Sequence, residues 1–126
     1  MVQEDTIEVG MQSASYVTAY YVPDPIKLYK PPSWVLSSCI NTAKWMIYGS
    51  LGEVSWGNAD SLVPVDGLKP TRGVIIITNE GNGHIGVISS VSGEYIHVQE
   101  GNWISGKYSE RELRIDDPKI KGFWLP

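Results

Sequence analysis

Gly81-Asn82-Gly83-His84-Ile85-Gly86-Val87-Ile88-Ser89-Ser90-Val91-Ser92-Gly93-Glu94-Tyr95-Ile96-His97-Val98-Gln99-Glu100-Gly101-Asn102 is the stretch that decides the fold class. Two β-forming runs, His84–Val91 and Glu94–Glu100, flank a glycine-containing turn, so they read as an antiparallel hairpin. Working outward, Val74-Ile75-Ile76-Ile77-Thr78 gives a strand before the hairpin, and Gly122–Leu125 a last one after it. Further upstream the period changes. From about Ser38 to Tyr48, Ile40, Ala43 and Ile47 fall at i, i+3 and i+7; Ser37 or Ser38 can cap this helix and Gly49 can end it. One helix followed by antiparallel strands is an α+β layout. Residues 1–33 read as extended. Thr6-Ile7-Glu8-Val9 alternates, Tyr16 to Val22 is rich in β-formers, and Pro23, Pro25, Pro31 and Pro32 break any continuous helix. The expectation is a single domain over residues 1–126, with an extended N-terminal segment at 1–33 and the core at 34–126.

Composition narrows the function classes. Fourteen acids against ten bases give a net charge of -4, which argues against a phosphate-reading nucleic-acid binder. A lone cysteine cannot form an internal disulfide. No apolar run approaches the length of a membrane span. Met1-Val2-Gln3-Glu4-Asp5 lacks the basic start and apolar run of a secretory signal. The expectation is synthesis in a cytoplasm without a signal peptide, with export through cell lysis or a larger particle.

Cys39 lies beside the N-cap of the expected helix. There, unpaired N–H groups and the dipole can stabilise a thiolate and bind an oxyanion. The competing reading is a small buried hydrophobe, the usual state of a single cysteine. A catalytic thiol needs a base. Of the two histidines, His84 follows a glycine-rich turn and opens an apolar strand, which leaves its ring accessible. His97 alternates with Ile96 and Val98 and reads as an ordinary exposed strand residue.

The register of the hairpin depends on its loop. A two-residue loop, Ser92-Gly93, sets His84 opposite Gly101 and turns Glu100 to the other face. A three-residue loop, Val91-Ser92-Gly93, with Gly93 in a left-handed bulge, sets His84 directly opposite Glu100, with Asn102 on the same face. The position of Gly93 favours the second. Glu100 follows Ile96 and Val98 on an apolar face, where a carboxylate needs a partner; the alternative is a polar turn at residues 99–102. Together Cys39, His84 and Glu100 fit a nucleophile, a base and its orienter.

With these residues in place, the chain resembles the CHAP domain, a cysteine- and histidine-dependent amidohydrolase/peptidase of the papain-like NlpC/P60 group. The resemblance runs from about Ser33 to Pro126. It rests on Cys39-Ile40-Asn41-Thr42-Ala43, Trp56-Gly57-Asn58-Ala59, Pro70-Thr71-Arg72-Gly73-Val74-Ile75, Gly83-His84-Ile85-Gly86-Val87-Ile88, Val98-Gln99-Glu100-Gly101-Asn102 and Ile120-Lys121-Gly122-Phe123-Trp124-Leu125-Pro126. It implies that Cys39 is the nucleophile, His84 the base and Glu100 its orienter, with Asn102 completing a tetrad by either supporting the histidine or lining the site. It further implies a helix bearing the cysteine packed on an antiparallel sheet. The implied substrate is the peptide part of peptidoglycan, cut at its junction with the glycan or within the stem peptide or cross-bridge. The chain departs from the family pattern at Ser38, where glutamine is common, so Ser38 becomes the candidate oxyanion support beside the Cys39 N–H. It also lacks an acidic calcium loop: Pro23-Asp24-Pro25 supplies one carboxylate, too few for a hard-cation cage. Alternation points His84 and His97 to opposite faces, against a zinc site. The expectation is no metal and no cofactor.

Trp56 and Trp103 neighbour the motifs and can wall a substrate groove, although core packing is at least as good a reading for each. Trp34, Trp45 and Trp124 read as packing residues. A phage lysin or virion-associated wall hydrolase fits this set, with residues 1–33 as an arm for a virion partner. The alternatives are a catalytically inert structural component of a phage particle, and an amidase acting on a small peptide conjugate.

Overall fold

The computed structural model describes residues 26–126. Helix α1 spans Cys39–Tyr48. Ser38 is its N-cap, with extended backbone and an Oγ that accepts from the Asn41 N–H at 3.1 Å. Gly49 ends the helix in the left-handed region at φ 72°. A Cβ there would also lie 3.1 Å from the Tyr29 ring, so glycine meets both a backbone and a space requirement.

Five strands follow: β1 Ile75–Thr78, β2 His84–Ser92, β3 Tyr95–Gly101, β4 Tyr108–Arg114 and β5 Ile120–Trp124. They form one sheet in the order β4-β3-β2-β1-β5, and every neighbouring pair is antiparallel. Period two divides the apolar side chains between its faces. Ile75, Ile77, Ile85 and Val87 pack with Ala43 and Met46 of α1. Ile76, Ile88, Ile96, Val98 and Leu113 form a second cluster with Leu68 and Val74. Because both faces of β1 are covered, it opens on an unbroken aliphatic run, Ile75-Ile76-Ile77.

The first turn of α1 sits close against the end of β3. A Cβ on Gly101 would come within 2.1 Å of Thr42 Oγ1. Thr42 is fully buried, and its hydroxyl is engaged with the carbonyls of Val35 and Ser38 at 3.1 and 2.8 Å. This approach sets Cys39, at the head of α1, beside the ends of β2 and β3.

The sequence placed the helix and four strands within a residue or two. Strand β4 was not anticipated. The expected extended runs at 6–9 and 16–22, and the Pro23-Asp24-Pro25 segment, lie outside the described residues.

The hairpin loop also differs from expectation. Ser92 pairs with Tyr95, so the loop is Gly93-Glu94, with Gly93 at φ 59° in the first position, as a type II′ turn requires. Further along, Ser90 pairs with His97 but Ile88 with Val98, and Ser89 is the extra residue of a β-bulge. The register then carries Gly86, not His84, opposite Glu100; a Cβ on Gly86 would lie 3.3 Å from Glu100 Cβ. The three-residue loop and the direct opposition of His84 and Glu100 are therefore both incorrect. Without the bulge these two side chains would point to opposite faces. With it they are diagonal neighbours on the same face.

Candidate active site

Cys39 is the first residue of α1 and His84 the first of β2. The thiol is half-buried, and the groups that favour its charged form are the His84 side chain and the Ile85 backbone N–H. His84 is only 7 % exposed. Its Nε2 lies 2.7 Å from Glu100 Oε1, which leaves Nδ1 for the sulfur. The three side chains thus form a line from helix to β2 to β3.

Electrostatics favour the charged form of the pair. Burial pushes the Cys39 thiol up, but hydrogen bonds from His84 and the Ile85 N–H, together with the imidazolium charge, outweigh it and hold the thiol below its ordinary value. Burial pushes His84 down; hydrogen bonds to Cys39 and Glu100 and their negative charges overcome this and raise it to about 9. Both shifts favour a thiolate facing an imidazolium over the neutral pair.

Glu100 has a second partner that the sequence reading missed. Its side chain is fully buried, and Arg111 of β4 reaches it with Nε to Oε2 at 2.7 Å and Nη2 to Oε1 at 3.1 Å. The far edge of the guanidinium meets Glu80, Nη1 to Oε2 at 2.9 Å and Nη2 to Oε1 at 2.6 Å. Thr78 Oγ1 in turn lies 2.9 Å from Glu80 Oε1. Arg111 also lies 4.0 Å over the Trp103 ring, whose centroid is 5.5 Å from that of His84. One signal could have found Arg111. A carboxylate on an apolar face needs a cation, and Arg111 shares the alternation of buried Leu113 in Glu110-Arg111-Glu112-Leu113.

The other expected site residues fall in different places. Asn102 is exposed, at φ 63°, and its Oδ1 accepts from the Gly106 N–H at 2.8 Å. It builds the β3–β4 turn and is not brought to His84, whose two ring nitrogens are already engaged. Ser38 adjoins Cys39, but its Oγ is occupied as the helix cap. Trp56 is buried, edge-on to Trp124 at 5.1 Å and Tyr48 at 6.1 Å. It nevertheless lines a cleft of about 350 Å³ beside the helix start, with Ser38, Asn41, Lys44 and Asn58. A larger cleft of about 660 Å³ is lined by Tyr29, Pro32, Leu36, Gln99 and Tyr108. His97 is 40 % exposed and paired with Glu110 at 2.6 Å. Trp34, expected to pack, is 64 % exposed and lies edge-on to Trp45 at 5.4 Å. Among the described residues, no group of three or more His, Cys, Asp and Glu side chains is arranged to hold a metal ion.

The family model of the CHAP domain matches residues 29–102, more than half of the chain, and the match takes in Cys39, His84 and Glu100. The chain belongs to the CHAP domain family. No curated protein and no solved structure matches it. CHAP domains are in general hydrolases of the cysteine/histidine type acting on peptidoglycan. One helix on a five-stranded antiparallel sheet is compatible with the papain-like CHAP fold. The matched stretch of this CHAP domain ends at Asn102, so β4 and its Arg111 lie beyond it. No described helix is long and apolar enough to cross a membrane.

Proposed function

We propose that this CHAP domain hydrolyses an amide bond in the peptide part of peptidoglycan through a Cys39 thiolate and an acyl-enzyme. The scissile bond is either the N-acetylmuramoyl-L-alanine link or a bond within the stem peptide or cross-bridge. The observation that carries the reading is the division of the His84 ring, one nitrogen toward the Cys39 sulfur and the other on a buried carboxylate 2.7 Å away. A merely packed cysteine has no use for a histidine held in this way.

The sulfur attacks the amide carbon, and the carbonyl π electrons move onto oxygen. The resulting oxyanion faces the start of α1, where the Cys39 N–H and the helix dipole stabilise negative charge. The tetrahedral intermediate collapses as His84 gives its proton to the leaving nitrogen and the C–N bond breaks. Neutral His84 then takes a proton from water, which attacks the thioester. Breaking the C–S bond returns the thiolate and releases the carboxylic acid. Glu100 keeps the ring in one orientation throughout, as an orienting acid does in a catalytic triad.

The test is digestion of purified sacculi and defined peptidoglycan fragments by the wild type and by Cys39→Ala, with mass spectrometry of the products. New amino termini with the wild type alone support the proposal, and their position names the bond. No new termini on any wall chemotype would sink it.

A further inference from the structure

The network around Glu100 includes two buried charged residues to which the proposed chemistry gives no part: Arg111 and Glu80. Neither hydrogen-bonds to Cys39 or His84, yet both side chains are largely buried, 18 % and 11 % exposed. Burying an ion pair is not a cheap way to stabilise a fold; hydrophobic side chains of the same volume often serve as well. The geometry is also more specific than charge neutralisation needs. Both oxygens of Glu100 and both oxygens of Glu80 accept from one guanidinium. A planar fork of this kind fixes the plane and rotation of each carboxylate, which a point-charge ammonium does not.

The consequence reaches His84 through Glu100. Glu100 Oε1 accepts from both His84 Nε2 and Arg111 Nη2, and Oε2 accepts from Arg111 Nε. With Oε2 held by Arg111, the carboxylate cannot rotate without losing two bonds, so Oε1 remains aimed at the ring. The same guanidinium stacks on Trp103 at 4.0 Å, and Trp103 lies against the His84 ring on a further side. The imidazole is therefore confined by Glu100 at one nitrogen and by an indole near its ring, and Arg111 supports both. Asn102 Oδ1 accepts from the Gly106 N–H instead of meeting His84 or Glu100.

We propose that Arg111, itself held by Glu80, is a positioning residue that fixes the Glu100 carboxylate and the Trp103 ring around His84. It acts through Glu100 and does not touch the reacting atoms. The proposal deepens the amidase reading given above and rests on it for turnover, but the thiolate it controls can be measured without any substrate.

The experiment compares wild type, Arg111→Lys, Arg111→Ala and Glu80→Gln in two assays. The first is the rate of Cys39 alkylation by iodoacetamide at about pH 6, where an ordinary thiol is almost unreactive. The second is wall-clearing kinetics as a function of substrate concentration. Arg111→Lys keeps the charge but loses the fork. It is expected to lower both the pH 6 alkylation rate and kcat by about 10–100-fold, by analogy with the loss when the hydrogen-bond partner behind a metal-bound histidine is removed, with KM little changed. Glu80→Gln moves both in the same direction by less. Arg111→Ala leaves two buried carboxylates without a cation, so circular dichroism accompanies it; if it fails to fold, the lysine and glutamine variants decide. Folded Arg111→Lys and Glu80→Gln with wild-type alkylation and wild-type kcat would overturn the proposal. If the wild type clears no wall but the variants still lose pH 6 alkylation, the amidase reading fails and the positioning role stands.

Discussion

Replacing Glu100 by glutamine changes one oxygen to an amide nitrogen and leaves volume and shape intact. The carboxylate accepts three hydrogen bonds: His84 Nε2 at 2.7 Å, Arg111 Nε at 2.7 Å and Arg111 Nη2 at 3.1 Å. All three partners are donors when His84 is charged, so the new NH₂ group faces a donor whichever way it turns. Turned toward Arg111, it leaves the Nε–H without an acceptor. Turned toward His84, it forces the ring to give up its Nε2 proton, and the imidazolium is lost. The position has no access to water, because the Glu100 side chain is fully buried. A buried donor left unsatisfied costs about 1–3 kcal/mol. At roughly 4 °C per kcal/mol for a domain of this size, the melting temperature should fall by about 4–12 °C. The rate should fall further than stability does. Changing the orienting acid of a serine triad to its amide lowers kcat by about 10⁴-fold, and a loss of at least about 10²-fold is expected here. Thermal melts followed by circular dichroism, with wall-clearing rates well below the melting point, measure both. Glu100→Gln with an unchanged melt and a wild-type rate would refute the reasoning, because the buried carboxylate would then be neither paired nor orienting.

Two further outcomes follow from the same geometry. Activity should fall as pH rises through about 9, where His84 loses the proton it gives to the leaving amine. The folded-state value lies above 6.5, so its contribution to stability is fully present below pH 6.5 and is lost as pH rises through about 9; denaturant midpoints across that window check the sign. The depressed Cys39 thiol acts in the opposite sense, its contribution being lost as pH falls through its lowered value. Separately, Gly101→Ala drives a methyl group to 2.1 Å from Thr42 Oγ1. It should destabilise the fold by about 2–3 kcal/mol, near the top of the overpacking range, and slow turnover by moving the head of α1 away from β3. A variant that is as stable and active as the wild type would show that this close approach does not set the position of Cys39.

What could be read from the sequence followed strong local signals. The cap at Ser38, the stop at Gly49 and the apolar period of α1 agree with each other, and so do the aliphatic run of β1 and the alternation in β2 and β3. The candidate nucleophile, base and orienter were legible because a cysteine at a helix start, a histidine after glycines and a carboxylate on an apolar face each depart from what packing alone requires. The loop was not legible. Gly93 serves equally as the last residue of a three-residue loop or the first of a type II′ turn, and nothing in Ser89 announces a bulge. The right pairing of His84 with Glu100 was thus reached through a wrong register, rescued by a one-residue irregularity. Strand β4 escaped because it lies at the sheet edge, where Tyr108-Ser109-Glu110-Arg111-Glu112-Leu113-Arg114 buries only Leu113. Charged edge strands resist unwanted pairing and carry little hydrophobic pattern. Arg111 was hidden with its strand. The left-handed backbone of Asn102, which turns the chain away from the sheet just after Gly101, was not legible either.

The central claim is that Cys39 is a thiolate because His84 makes it one. The rate of Cys39 alkylation, followed by mass spectrometry of the intact protein from about pH 5 to about pH 10, tests it most directly. Rapid single-site labelling is expected at about pH 6 in the wild type, with that reactivity lost in folded His84→Ala and recovered only as pH approaches the ordinary thiol value near 9.0. A wild-type profile that rises only near that value, or a His84→Ala profile that overlays the wild type, would contradict it.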